Sequence, residues 1–225
     1  MPDRPTLLAV PGLGLTPRTT APTLSALGPG WRTGVVRLPG YGEPCRSGVL
    51  LDPAVLAGRL LDRLDRPAVL LGHSASCHVV AEAARRAPGR VAGLVLVGPT
   101  GDPRLVPPVL VHRWLRTAVH EHLWELPVLV PDWLRNGPVT MARGFAATRR
   151  QRLSDVLAGV EAPVLVVRGR HDRIAPADWV AALAAAAPRG TAASLAGGAH
   201  MVPLTRPASL AARIEAVLGG ARTRR

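Results

Sequence analysis

Two of the seven serines in this chain of 225 residues stand together in the stretch 70–80, LLGHSASCHVV. A run of aliphatic residues ends there in Gly72-His73-Ser74-Ala75-Ser76, just before a helical pattern. A strand that turns sharply into a helix brings two backbones together. The positions two before and two after the turning serine must then be small, and Gly72 and Ser76 meet that need. Ser74 is open to two readings, a hydroxyl that caps the helix or a hydroxyl presented to a substrate. A serine hydroxyl attacks a carbonyl only when a base takes its proton and a carboxylate orients that base. Candidates for both lie further along. Asp172 follows the apolar run of PVLVVRGRHDRIAP, and His200 lies 28 residues beyond it in LAGGAHMVPLTRP.

Six short aliphatic runs supply the elements that must position these groups: 6–10, 34–38, 68–72, 91–98, 163–169 and, more weakly, 191–197. They do not alternate apolar with polar residues, so they read as strands covered on both faces. Helical patterns fall between them at about 19–27, 53–65 (opening on Asp52-Pro53), 75–87, 176–187 and 207–218. Strand, helix and strand in repetition predict a doubly wound, mostly parallel sheet of six strands with helices on both faces. In such a sheet the site lies beyond the carboxyl ends of the strands. The stretch 102–152 breaks the rhythm, with no strand, several prolines and Trp114, Trp124 and Trp133. It reads as an inserted helical lid, between core segments 1–101 and 153–225.

Gly72-His73-Ser74-Ala75-Ser76 resembles the nucleophile elbow of the α/β-hydrolase family, with Ser76 in place of the second glycine. The Gly-x-x-Asp-x-x-x-Pro pattern around Asp172 and the Gly-x-x-His pattern ending at His200 resemble that family's acid and base loops, in the family's chain order. The resemblance runs from Thr6 to about Leu218 and implies a Ser74–Asp172–His200 triad. VPGLGLTP resembles the family's His-Gly-x-Gly loop, with Pro11 in the usual histidine position. It implies an oxyanion hole made by the main-chain N–H groups of Leu13 and Ala75. RLPGYGEP (37–44) resembles the Pro-Gly-x-Gly loop after the next strand. The chain begins almost at the oxyanion strand, which leaves no room for the antiparallel strands that open larger members.

Several further residues divide between chemistry and packing. His78 falls four residues after Ser74 on one helix face, where it would line a pocket or sit in the core. Trp114, Trp124 and Trp133 are candidates for an apolar substrate pocket, although burying a lid against a sheet is the commoner use of tryptophan. His73 is expected to bond locally and Cys77 to serve close helix packing. Asp102 and Asp178 are the substitutes for Asp172. His120 and His122 diverge on a helix and have no matching carboxylate–histidine pair, so neither a metal site nor a cofactor is expected.

The formal net charge is +13, and every one of the 28 basic residues is arginine. The arginines are scattered, with short groups at 149–152 and 222–225, so the charge does not form a nucleic-acid footprint. An acidic partner such as an acyl carrier protein suits it better. Cys45 and Cys77 form no disulfide framework. No apolar run reaches a membrane span, and 6–15 is broken by Pro11, Gly12 and Gly14, unlike a signal peptide. A cytoplasmic location is the expectation.

The reading is a serine-dependent carboxylesterase- or thioesterase-like hydrolase acting on an ester or thioester of a small apolar acyl group or biosynthetic intermediate. Two alternatives share the pocket. One is a lyase or C–C-cleaving enzyme using His200–Asp172 as a base, for instance to eliminate a carboxylate. The other is a non-catalytic ligand-binding protein.

Overall fold

The computed structural model describes residues 4–46 and 48–219, so the arginine group at 222–225 lies outside the described residues. Strands β1 (Thr6–Val10), β2 (Arg32–Val35), β5 (Ala68–His73), β6 (Val91–Val97), β7 (Val164–Gly169) and β8 (Gly190–Leu195) form one sheet in the order β2-β1-β5-β6-β7-β8. Every pairing in it is parallel. A small pair, β3 (Leu38–Pro39) and β4 (Gly42–Glu43), occupies the loop after β2. The chain winds outward from β1 to β2, then crosses back to β5 and continues to β8. The loops after β1 and β5 therefore face each other at the point where the winding reverses, which is where such sheets hold ligands.

The helices are α1 (Ala21–Ala26), α2 (Pro53–Leu61), α3 (Ser76–Arg86), α4 (Pro107–Ala118), α5 (Leu126–Arg149), α6 (Leu153–Ala158), α7 (Ala177–Ala186), α8 (Val202–Thr205) and α9 (Pro207–Leu218). Strand residues of opposite parity feed two cores. Leu70, Leu94, Leu96, Val164 and Val166 meet Leu56 and Leu60 of α2, Val79 and Val80 of α3, Leu157 of α6 and Leu183 of α7. Val69, Leu71, Val95, Val97 and Leu165 meet Leu24 of α1 and Leu210 and Ile214 of α9. Burial on both faces is why the inner strands β1, β5, β6 and β7 read as unbroken aliphatic runs. α2 starts where Asp52 and Pro53 predict: the Asp52 carboxylate accepts from Ala54 N at 2.8 Å, with Pro53 at the first helical position.

The second strand departs from its expected span of 34–38 and lies at 32–35. As a sheet edge it leaves Arg32 and Thr33 exposed, so the aliphatic pattern is displaced from the ladder. The region 102–152 holds α4 and α5 and, among the described residues, no strand. α5 is two helices joined at Gly137, whose φ of 71° opens the chain before Pro138. Among the described residues no helix is long and apolar enough to cross a membrane.

Candidate active site

Ser74 lies between β5 and α3 with φ 57°, a left-handed conformation that among the described residues no other non-glycine residue adopts. Such strain persists only where the surroundings over-determine it. Three contacts do so here. A Cβ at Gly72 would come within 2.9 Å of Cys77 N and Cα, so glycine is needed for strand and helix to approach. Ser74 N donates to Val97 O at 2.8 Å, fastening the turn to β6. Ser76, fully buried, accepts from His73 N at 2.8 Å, and its hydroxyl faces Val10 O at 2.8 Å and His73 O at 2.9 Å. Ser76 is therefore a tie between the elbow and the end of β1, which a glycine could not be. The capping reading of Ser74 does not hold: α3 starts at Ser76 and has no side-chain cap.

The Ser74 hydroxyl instead lies 2.9 Å from His200 Nε2, and His200 Nδ1 donates to Asp172 Oδ2 at 2.9 Å. Asp172 is fully buried, and its Oδ1 accepts from the main-chain N–H groups of Ile174 and Ala175 at 2.9 and 3.0 Å. Gly98, at the end of β6, has φ 55°. A Cβ there would stand 3.0 Å from Asp172 Oδ2 and 3.1 Å from His200 Nδ1. The substitutes Asp102 and Asp178 lie elsewhere, both bonded to Arg104.

Burial pushes the Asp172 carboxyl up. The charge and hydrogen bond of His200, the Ala175 N–H and Arg168 more than reverse this, so it lies below its ordinary value. Burial pulls His200 down, but the charge and hydrogen bond of Asp172 and the charge of Glu121 outweigh it and hold it above. His73 packs against His200 at 5.0 Å between ring centres, and its Nε2 donates to His200 O at 3.0 Å. Burial and the neighbouring His200 push His73 down to about 3, so it is a neutral support.

The N–H groups of Leu13 and Ala75 donate to no described residue, whereas Gly14, Leu15, Ser74 and Cys77 around them all do. Leu13 is fixed from outside: a Cβ on Gly144 of α5 would come within 2.6 Å of its side chain. Asp132 of α5 accepts from Thr16 N at 2.8 Å and Thr16 Oγ1 at 2.7 Å, and Asn136 Nδ2 donates to Gly14 O at 3.3 Å.

A cavity of about 850 Å³ opens onto Ser74 and His200, with Leu105, Leu110, Trp114, Phe145, Ile174 and Trp179 among its apolar lining. Of the expected pocket residues, only Trp114 lines it. Trp124 points away, 53% exposed. Trp133 packs against a small cluster of Leu15, Leu129 and Met201 beside the loop after β1. His78 is fully buried behind the wall, between Gln151 Oε1 at 3.0 Å and Thr100 O at 3.3 Å. A separate hollow of about 550 Å³ follows the β2 edge and shares none of these residues.

Two contributors had no sequence signal strong enough to find them. Arg168, buried near the end of β7, donates from Nε to Ala175 O at 2.6 Å and from Nη2 to both Arg170 O and Asp172 O, clamping the loop that carries Asp172. Glu121, between α4 and α5, accepts from His200 N at 2.6 Å and Met201 N at 2.9 Å. His120 and His122 lie in the turn after α4 and not on a helix; His120 stacks on His171 at 4.3 Å, and His122 faces Trp124. Among the described residues no group of three or more His, Cys, Asp or Glu side chains is placed to hold a metal ion.

A model of the alpha/beta hydrolase family matches residues 7–213, and the chain belongs to that family. It is accordingly a hydrolase of this fold. A pimeloyl-[acyl-carrier protein] methyl ester esterase of Methylococcus capsulatus is 30% identical over 180 residues, taking in 66% of this chain and 69% of that protein. Two solved structures share the fold. A thermophilic esterase from Thermogutta terrifontis has TM-score 0.80 at 22% identity, over 98% of this chain and 91% of its own. An enol-lactonase from Burkholderia xenovorans has TM-score 0.76 at 20% identity, over 96% and 92%.

Proposed function

We propose that this chain is a serine carboxylesterase or thioesterase. The observation that carries the reading is the relay from the strained Ser74 hydroxyl through His200 to the buried Asp172, at 2.9 Å for each step. His200 takes the Ser74 proton as Oγ attacks the carbonyl carbon. The tetrahedral oxyanion is held by the Leu13 and Ala75 N–H groups. His200 then returns the proton to the departing alcohol or thiol, leaving an acyl-Ser74 ester. Water, deprotonated by His200, cleaves that ester and restores the serine. Asp172 keeps the Nδ1–H tautomer and steadies the imidazolium. The region 102–152 acts as the lid over this centre. An ester-cleaving relative favours ester or thioester hydrolysis over elimination.

The test is covalent labelling and turnover. A fluorophosphonate should label Ser74, and Ser74→Ala should abolish labelling while lowering cleavage of a short p-nitrophenyl ester by several powers of ten. A folded Ser74→Ala protein with unimpaired activity would refute the mechanism.

A further inference from the structure

The cavity beside Ser74 is not uniformly apolar. Thr100, just after β6, and Arg149, Gln151, Arg152 and Ser154, where α5 runs into α6, are polar members of its lining. Two of them are physically linked. His78 links Thr100 O to Gln151 Oε1, and Gln151 Nε2 reaches Glu82 at 3.4 Å, so the Gln151 side chain is held in place.

The charge there is mostly positive. Asp102 is bound by Arg104 and Arg113, Asp178 by Arg104, and Glu82 by Arg85 and Arg86, while the exposed Asp155 accepts from Ser154 Oγ at 3.2 Å. The guanidinium groups of Arg149 and Arg152, exposed residues that both line the cavity, have neither an ion pair nor a hydrogen bond among the described residues. The Thr100 hydroxyl adds a second, independent mark. Its Oγ1 is buried without a partner in a residue only 6% exposed that lines the same cavity. A buried hydroxyl without a partner costs free energy unless something completes it.

We infer that the cavity takes acyl substrates carrying a second, ionised carboxylate, bound by Arg149 and Arg152 with the Thr100 hydroxyl as a further donor. The inference rests on the esterase reading above and adds the substrate class. Planar guanidinium groups suit a carboxylate in particular, because they donate two parallel hydrogen bonds to it. The apolar part lined by Leu110, Trp114 and Phe145 would take the methylene chain between the two carbonyl carbons.

The experiment compares the mono-p-nitrophenyl ester of adipic acid with p-nitrophenyl hexanoate, which has the same chain length and no charge. The readout is the charged-to-neutral ratio of kcat/KM. Arg149→Ala and Arg152→Ala should each lower that ratio about fivefold, the double variant more, and added salt should lower it in the wild type. Arg152→Lys should retain part of the preference, whereas Arg152→Glu should lower the ratio further than Ala. A ratio that neither arginine nor salt affects overturns the assignment. So does loss of binding to an acidic carrier protein in the double variant with the ester ratio unchanged, since the arginines would then serve a protein surface. If the wild type cleaves neither ester, the esterase reading fails. Calorimetric titration with free adipate then decides the anion site alone: binding lost in the double variant supports it, and no binding to the wild type overturns it.

Discussion

Ser76 shows how one side chain changes the physics of a loop that otherwise follows the family pattern. Where a glycine would leave the elbow to its backbone, the Ser76 hydroxyl accepts from His73 N and faces Val10 O and His73 O, all in the dry interior. Ser76→Ala leaves the His73 N–H without an acceptor, at a cost of about 1–3 kcal/mol. The denaturant midpoint should fall accordingly, and kcat should fall with it because the same bond holds the turn that presents Ser74. An unchanged midpoint and rate would mean that the tie contributes nothing. Asp172→Asn acts on a different term. It keeps the packing but loses the charge that orients His200, so kcat/KM should drop by about a thousandfold or more. A small effect would place the acid elsewhere.

At the scale of elements, the connection between α4 and α5 is bonded to the loop that carries His200. Glu121 accepts two main-chain N–H groups there, and its second oxygen, like that of Glu125, is buried without a partner. Burial and then Glu125 push Glu121 up to about 7, with His122 also facing Glu125. The Glu121 charge supports the imidazolium of His200, which is already held above its ordinary value of about 6.5 by Asp172. His200 works as a base only when neutral. The acid limb of kcat/KM should therefore have its midpoint above 6.5. Glu121→Gln retains an acceptor oxygen but removes the charge, so that limb should move to lower pH. Glu121→Ala also frees both N–H groups and should lower kcat about tenfold. If neither variant moves the pH profile, Glu121 is a structural contact without influence on the base.

The whole molecule separates what its sequence displays from what only folding reveals. The inner strands could be read because burial on both faces leaves unbroken aliphatic runs, and Ser74 and Asp172 lie just past the ends of two of them, whereas His200 follows the weaker, partly exposed run of the edge strand β8. Arg168 was hidden because a buried arginine bonded only to carbonyls looks like any strand-end charge. Glu121 was hidden because its partners lie about 80 residues away. Trp114 lines the cavity, but Trp124 and Trp133 are not among its lining, for a geometric reason. Pro131, Gly137 and Pro138 interrupt α5, so helical phase does not carry across the region and cannot say which ring faces inward. Trp179 and Phe145 line the cavity instead, Trp179 held by its Nε1 donating to Pro99 O at 3.1 Å. The two large cores lie on the faces of the sheet, and α4 and α5 contribute none of their fully buried members. Three alanine variants should therefore behave differently. Trp114→Ala should change the preference among acyl chain lengths by about 1–3 kcal/mol in kcat/KM ratios. Trp133→Ala should lower the unfolding midpoint and kcat together, because its ring packs beside Gly14 in the loop after β1. Trp124→Ala, on an exposed ring, should do neither. A chain-length series on each variant, with thermal unfolding recorded alongside, separates the three roles. If Trp114→Ala unfolds readily yet keeps the wild-type profile, its ring is packing and the cavity draws its selectivity from Phe145 and Trp179.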